Sequence, residues 1–196
     1  VDLDGFKRVN DSFGHETGDQ LIRAVALILK QAAGNEAMAV RLSGDEFALL
    51  AHGPDAHDTI ERVSQRLLAI LTQPVMAFKR PVQVGASIGI VAARLGEISP
   101  SEAMRRADTA MYEAKKSGKM RIVWYCPELE RDQTEVARLT AELRNAIEHR
   151  ELVAMYQPMI DSRTGEVRAV EALLRWPSIE HGEISTREFI SVADQA

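Results

Sequence analysis

One cysteine, Cys126, among 196 residues rules out an internal disulfide framework and fits a reducing, cytoplasmic setting. No apolar run approaches the ~20 residues that span a bilayer, so this segment is expected to make no membrane contact. No basic run is long enough to follow a phosphate backbone, and the formal net charge is −5, which argues against DNA or RNA as a main partner. The opening residues do not read as a secretory leader, and the chain opens on Val1 rather than Met, inside what reads as a strand. Both ends therefore read as trimmed, with any targeting, sensor or membrane-anchoring segment outside the window. What is present is 45% hydrophobic and 27% charged residues, enough for one full core and part of a second domain.

The stretch Arg41-Leu42-Ser43-Gly44-Asp45-Glu46-Phe47 lies between two short apolar runs, Ala37 to Val40 and Ala48 to Leu50. The pattern predicts a hairpin with a turn at Ser43-Gly44 and acid at its tip. Such a tip is either a solvated acidic turn, since Asp after Gly is ordinary turn chemistry, or a place where a cation meets an anionic ligand. At the start of the chain Val1-Asp2-Leu3-Asp4 alternates, placing Asp2 and Asp4 on one face of a strand. Two carboxylates on one face suit either the wet side of an edge strand or a hard divalent ion that keeps positions open for phosphate oxygens. The following Phe6 to Asp19, dense in Gly, Asn and Asp, reads as loop and turn. Leu21, Val25, Ile28 and Leu29 then mark one face of a helix ending near Gly34. Asn10 and Asp19 could cap that helix or read the edge of a polar heterocycle.

A second helix carries Ile60, Val63, Leu67 and Ile70 between Pro54-Asp55 and Pro74, and Val82 to Ala93 reads as a central strand buried on both faces. Ser99-Pro100-Ser101-Glu102 is a capping box; it opens a helix whose Ala103, Ala107, Ala110, Met111 and Ala114 let it lie close to a sheet. Lys115, Lys116 and Lys119 at its far end favour the helix dipole and equally offer phosphate contacts. Arg121 to Tyr125 closes the pattern as a strand.

Taken together, Asp2-Leu3-Asp4-Gly5-Phe6-Lys7, Asn10-Asp11, Gly14-His15, Gly18-Asp19 and Ser43-Gly44-Asp45-Glu46-Phe47 resemble the GGDEF domain of diguanylate cyclases. The resemblance continues through Ala86-Ser87-Ile88-Gly89-Ile90 and Ala107 to Lys115. It implies an α/β (α+β) fold like the ferredoxin-like palm of nucleotide cyclases, a mixed sheet with flanking helices. It also implies a homodimer in which each copy holds one GTP, the 3′-hydroxyl of each nucleotide attacks the α-phosphate of the other, and cyclic di-GMP forms as pyrophosphate leaves. By the same resemblance Asp2, the Leu3 carbonyl and Asp45 would hold Mg²⁺ (or Mn²⁺), and Glu46 would assist the metal or the hydroxyl. Lys7 and Lys115 would meet the phosphates with the backbone at Phe6 and the turn at Ser43-Gly44, Lys119 would add charge, and Asn10 and Asp19 would read guanine.

Three departures from the family pattern matter. Ser43 replaces the first glycine at a position expected to need a positive φ, which costs on the order of 1 kcal/mol for a side chain. Gly118-Lys119-Met120 stands where the family shows Gly-Arg-Asn, keeping charge without bidentate geometry. Gly34 and Ala37 occupy the Arg and Asp positions of the family's product-inhibition motif, so feedback at that site is expected to be absent.

Composition changes after residue 126. Residues 127–150 read as a connector helix on which Val136, Leu139, Leu143 and Ala146 form a stripe able to pair with a second copy. Residues 151–196 carry Leu152 to Ile160, a turn at Asp161 to Gly165, Val167 to Trp176, and a helix over Ser185 to Gln195. This resembles the opening of the EAL domain of cyclic di-GMP phosphodiesterases, in which Glu171 would be a metal ligand, Arg175 a phosphate contact and Gln157 a pocket residue. A barrel of that kind needs over ~200 residues, so only its first strands are here and this piece cannot hydrolyse a substrate. A cyclase joined to a phosphodiesterase, a GTP-binding module that regulates the attached domain, and a non-catalytic dimerisation module are the three readings the sequence leaves.

Overall fold

The computed structural model describes residues 1–94, 96–178 and 182–184, and the chain forms two compact units, Val1–Leu129 and Glu130–Ala196. The helix expected over Ser185 to Gln195 lies outside the described residues. Among the described residues no helix is long and apolar enough to cross a membrane.

In chain order the first unit contains β1 (Asp2–Asp4), α1 (Phe6–Phe13), α2 (His15–Ala33), β2 (Met38–Ser43), β3 (Glu46–Leu50), α3 (Ala56–Leu71), β4 (Val75–Ala77), β5 (Arg80–Val82), β6 (Gly85–Ile90), α4 (Pro100–Lys116) and β7 (Ile122–Trp124). Five of the strands form one sheet in the order β2-β3-β1-β6-β7. All neighbours are antiparallel except β6 and β7, which α4 joins as a parallel crossover. This is the mixed sheet with flanking helices expected from the sequence.

Strand alternation divides the residues between two faces. Leu3, Ala86, Ile88 and Ile90 enter the core with Leu21, Val25 and Leu29 of α2 and Leu67 and Leu71 of α3. The other face carries Asp2, Asp4, Gly85, Ser87 and Gly89, since Asp2 stands opposite Ser87 and Asp4 opposite Gly85. Here α4 lies so close that a Cβ on Gly89 would come within 2.0 Å of the Ala107 carbonyl oxygen and 2.3 Å of the Met111 nitrogen. Ala110 and Ala114 are fully buried at the same contact, which is the role small residues were expected to play.

Several local expectations need correction. Phe6 to Phe13 and His15 to Asp19 are helical rather than loop. Gly5, at φ 80, turns the chain out of β1, and Phe6 and Val9, three apart, face the core, so tertiary burial outweighs the local preference of Asn10, Asp11 and Ser12. The central strand covers only Gly85–Ile90, because Val82 pairs with Val75 in a separate hairpin of β4 and β5 whose turn residues Phe78 and Lys79 both have positive φ. At the start of α4, Ser99 Oγ accepts from the Glu102 amide at 3.2 Å as a cap should. The Glu102 carboxylate is taken by Arg105 and Arg106, whose hydrogen bonds hold its pKa down to about 2.

The second unit takes in most of α5 (Pro127–Glu148), followed by β8 (Val153–Ile160), β9 (Val167–Ser178) and β10 (Gly182–Ile184) in a three-stranded antiparallel sheet of order β10-β9-β8. Asp161 Oδ1 accepts from the amides of Arg163 and Thr164 and shapes the β8–β9 turn. On α5, Leu143 and Ala146 pack on the buried Trp176 with Leu139 and Leu152, so part of the apolar stripe is covered within this unit.

Candidate active site

The site is built where β1, the β2–β3 hairpin and the C-terminal end of α4 meet. Asp2 stands opposite Glu46 in the β1–β3 register, and the chain crossing is fixed by the Phe47 amide donating to the Val1 carbonyl at 2.8 Å. The carboxylate of Asp2 is 13% exposed and accepts from Lys115 Nζ at 2.8 Å. Lys115 reaches it from the last turn of α4, so the crossover that closes the sheet also delivers a cation to its acidic face. Asp45 lies beside them: burial, then the nearby charges of Asp2 and Glu46, push its carboxyl above the ordinary range, while a backbone hydrogen bond and Lys115 oppose the shift.

At the hairpin the turn falls on Gly44 and Asp45, with Ser43 still paired to Glu46 at the end of β2. The left-handed conformation belongs to Gly44 (φ 45), and Ser43 lies outside that region, so the expected backbone strain at Ser43 is absent. The serine hydroxyl instead donates to Glu46 Oε2 at 2.9 Å. Arg41 clasps the tip, its Nε and Nη2 donating to the Gly44 carbonyl at 3.1 and 2.9 Å. The effect of Ser43 therefore runs through Glu46. Ser43→Gly and Ser43→Ala should change nucleotide turnover equally, within about twofold of each other, because each removes one hydrogen bond of roughly 1 kcal/mol and neither relieves strain. A rate gain confined to the glycine variant in steady-state assays would show that backbone freedom matters after all.

The Asp-x-Asp pair divides into two roles. Asp4 accepts from Ser87 Oγ at 2.8 Å through Oδ1 and from the Met120 amide at 3.1 Å through Oδ2. It therefore ties the segment after α4 to the sheet. Lys119 and Met120 both have positive φ in that segment, and Lys119 is exposed. Nothing in the pattern of residues 118–120 announces this latch.

Lys7 is exposed in the first turn of α1, and Phe6 is its first residue. The first helical bond, from the Val9 amide to the Gly5 carbonyl at 3.3 Å, leaves the amides of Phe6, Lys7 and Arg8 without helical acceptors, an arrangement suited to anions. Asn10 sits one turn on, its Oδ1 buried without a hydrogen-bond partner. It packs so tightly on Gly18 that a Cβ there would come within 1.9 Å of that oxygen. Asp19, the next residue on α2, is exposed. The demand for glycine at position 18 was present in the Gly14-His15…Gly18-Asp19 motif, but only the α1–α2 crossing reveals it.

Two carboxylates, Asp2 and Asp45, fit a hard divalent ion that arrives with phosphate oxygens. Mg²⁺ is commonly held by one or two carboxylates plus substrate phosphates. The Lys115 ammonium against Asp2 shows that this face already attracts a cation. Among the described residues no three His, Cys, Asp or Glu side chains converge into an all-protein cage. In the second unit Gln157 stands directly opposite Glu171, and Val153 opposite Arg175, so Gln157, Glu171 and Arg175 share one face of the β8–β9 pair. Glu171 is exposed there.

An acidic strand end, a neighbouring lysine and a helix start thus lie together on a mixed α+β sheet. Residues 1–121 match the family described as diguanylate cyclase, GGDEF domain, and residues 140–196 match the EAL domain. The chain belongs to the GGDEF family and continues into the start of an EAL domain. It is 38% identical over 196 residues to the cyclic di-GMP phosphodiesterase PdeR of Escherichia coli, covering 100% of this chain and 29% of that one. It is 35% identical over 195 residues to the bifunctional diguanylate cyclase/cyclic di-GMP phosphodiesterase MucR of Pseudomonas aeruginosa, covering 100% and 28%. A solved GGDEF domain from Pseudomonas aeruginosa superposes with a TM-score of 0.63 at 26% identity, covering 68% of this chain and 78% of that chain. The chain thus spans less than a third of the length of the curated relatives named here. The GGDEF–EAL pairing marks a protein of cyclic di-GMP signalling.

Proposed function

We propose that the first unit is a diguanylate cyclase half-site that binds one GTP with a divalent cation and condenses it with the GTP of a second copy. The observation that carries this reading is the convergence of Asp2, Asp45 and Lys115 at one end of the sheet. A bound Mg²⁺ or Mn²⁺ would supply Lewis-acid stabilisation of charge building on the transferring phosphoryl group. Asp2, the Leu3 carbonyl and Asp45 would hold it. Lys7 and the free amides at the start of α1 would orient the phosphates, with Lys115 and Lys119 adding positive charge. Glu46, positioned by Ser43, would receive the 3′-hydroxyl proton or assist the cation. Each 3′-oxygen forms a bond to the opposing α-phosphorus while the bond to pyrophosphate breaks, and two such steps close cyclic di-GMP.

Asn10 and Asp19 would select guanine, whose edge is rich in donors and calls for acceptors. Because Asp19 is exposed, its loss should act at the low end of the range for a charged hydrogen bond: Asp19→Ala should cost about 1.5 kcal/mol, roughly tenfold in GTP affinity, and erase the preference over ATP. Calorimetric titration with non-hydrolysable GTP and ATP analogues tests this. A wild-type protein that binds both analogues equally would remove the guanine assignment. The hydroxyl of Ser43 on Glu46 favours one second reading, a GTP-binding unit with slow turnover that regulates the attached EAL domain. In that case GTP should alter cyclic di-GMP hydrolysis by the protein without being consumed.

A further inference from the structure

Asp2 is a mostly buried carboxylate, and a second, Asp45, lies beside it. Such a pair is unfavourable without a cation, and Lys115 supplies one at 2.8 Å. The other groups around this point are differently engaged: Glu46 accepts from Ser43, Asp4 accepts from Ser87 and the Met120 amide, and the Val1 amino group donates to the Phe47 carbonyl. The lysine is a compact charge on a flexible stem at a helix end, 36% exposed, so it can change partner without moving α4.

We infer that Lys115 is an exchangeable counter-ion of the cation site: it neutralises Asp2 in the nucleotide-free protein and passes to the triphosphate when a divalent ion takes Asp2. A divalent ion arriving alone must displace the ammonium and then stand beside it, two cations a few ångströms apart on a face where the described residues form no all-protein cage. When a triphosphate arrives with the ion, the displaced lysine gains an anionic partner and the repulsion becomes attraction. Cation and nucleotide therefore assist one another, and by linkage the assistance is the same measured from either side. The nucleotide half of this inference rests on the proposed GTP site; the competition between Lys115 and a divalent ion for Asp2 does not.

The two halves separate in one experiment, titration of Mn²⁺ into the protein followed by electron paramagnetic resonance, with and without a GTP analogue carrying a methylene bridge between the α- and β-phosphates. Wild type should bind Mn²⁺ weakly alone and about tenfold or more tightly with the analogue. Lys115→Met should bind Mn²⁺ alone roughly tenfold more tightly than wild type and gain less than about threefold from the analogue. Lys115→Arg should keep the wild-type coupling, and Lys115→Gln should reproduce the methionine result if methionine disturbs the helix end. Lys115→Met and Lys115→Gln proteins with native circular dichroism whose affinity for Mn²⁺ alone equals or falls below wild type would overturn the inference. If wild type does not bind the analogue, the GTP reading fails, while the nucleotide-free titrations still decide whether Lys115 guards Asp2.

Discussion

Replacing Gly89 by alanine should lower stability by ~3 kcal/mol, the upper end of what overpacking usually costs. The atoms that a new methyl group would meet are the Ala107 carbonyl oxygen and the nitrogen and Cα of Met111, all backbone, so α4 itself must move off β6. Gly85 provides the control. A Cβ there meets first the Sδ and Cγ of Met120, at 2.5 and 2.7 Å, atoms of a flexible side chain that can turn aside, and about 1 kcal/mol is expected. Urea unfolding, read as a midpoint shift at unchanged slope, measures both. Equal shifts for the two variants would mean that α4 does not sit as closely on the sheet as described. The consequence reaches the site, because α4 carries Lys115: the Gly89 variant should also bind divalent ions with less help from nucleotide.

Asp45→Asn should abolish nucleotide condensation, by at least about 100-fold, while leaving the protein as stable as wild type or slightly more so at neutral pH. The two effects have one cause. Burial raises the Asp45 pKa in the folded state above 3.8, so folding disfavours the ionised form, the one that would hold a cation. The sign follows from proton binding: between the unfolded value of 3.8 and the raised folded value the native state holds more protons, so the carboxylate lowers stability above that window and not below it. The asparagine variant should gain on wild type at pH 7 and lose that advantage as the pH falls past 3.8. Thermal unfolding at both pH values, beside a product assay, checks the pair of results. A variant that loses activity and stability together at pH 7 would make Asp45 a structural residue.

How far such effects were legible beforehand depended on whether their cause was local. The β2–β3 hairpin, α3 and the Ser99 cap were readable because turn residues, apolar spacing and capping groups act within a few positions of one another. Helix α1 was missed because Asn10, Asp11 and Ser12 disfavour helices locally, and only burial of Phe6 and Val9 against the rest of the core overrides them. The strain assigned to Ser43 failed by one residue: the register of β2 and β3 moves the turn to Gly44 and Asp45, and with it the positive φ. The candidate residues Asp2, Asp45 and Lys115 were named from motifs, but nothing in their spacing says that Lys115 bonds Asp2 across 113 positions. Asp4 was paired with Asp2 by alternation, which is right about the face and silent about Ser87 and Met120.

The most direct test of the account is incubation of the protein with GTP and Mg²⁺ across a range of protein concentrations, with separation of the nucleotide products. Two half-sites acting on opposed nucleotides predict cyclic di-GMP with two pyrophosphates released per molecule, and a specific rate that rises with protein concentration as copies pair. GTP that binds and is recovered unchanged at every concentration would contradict it.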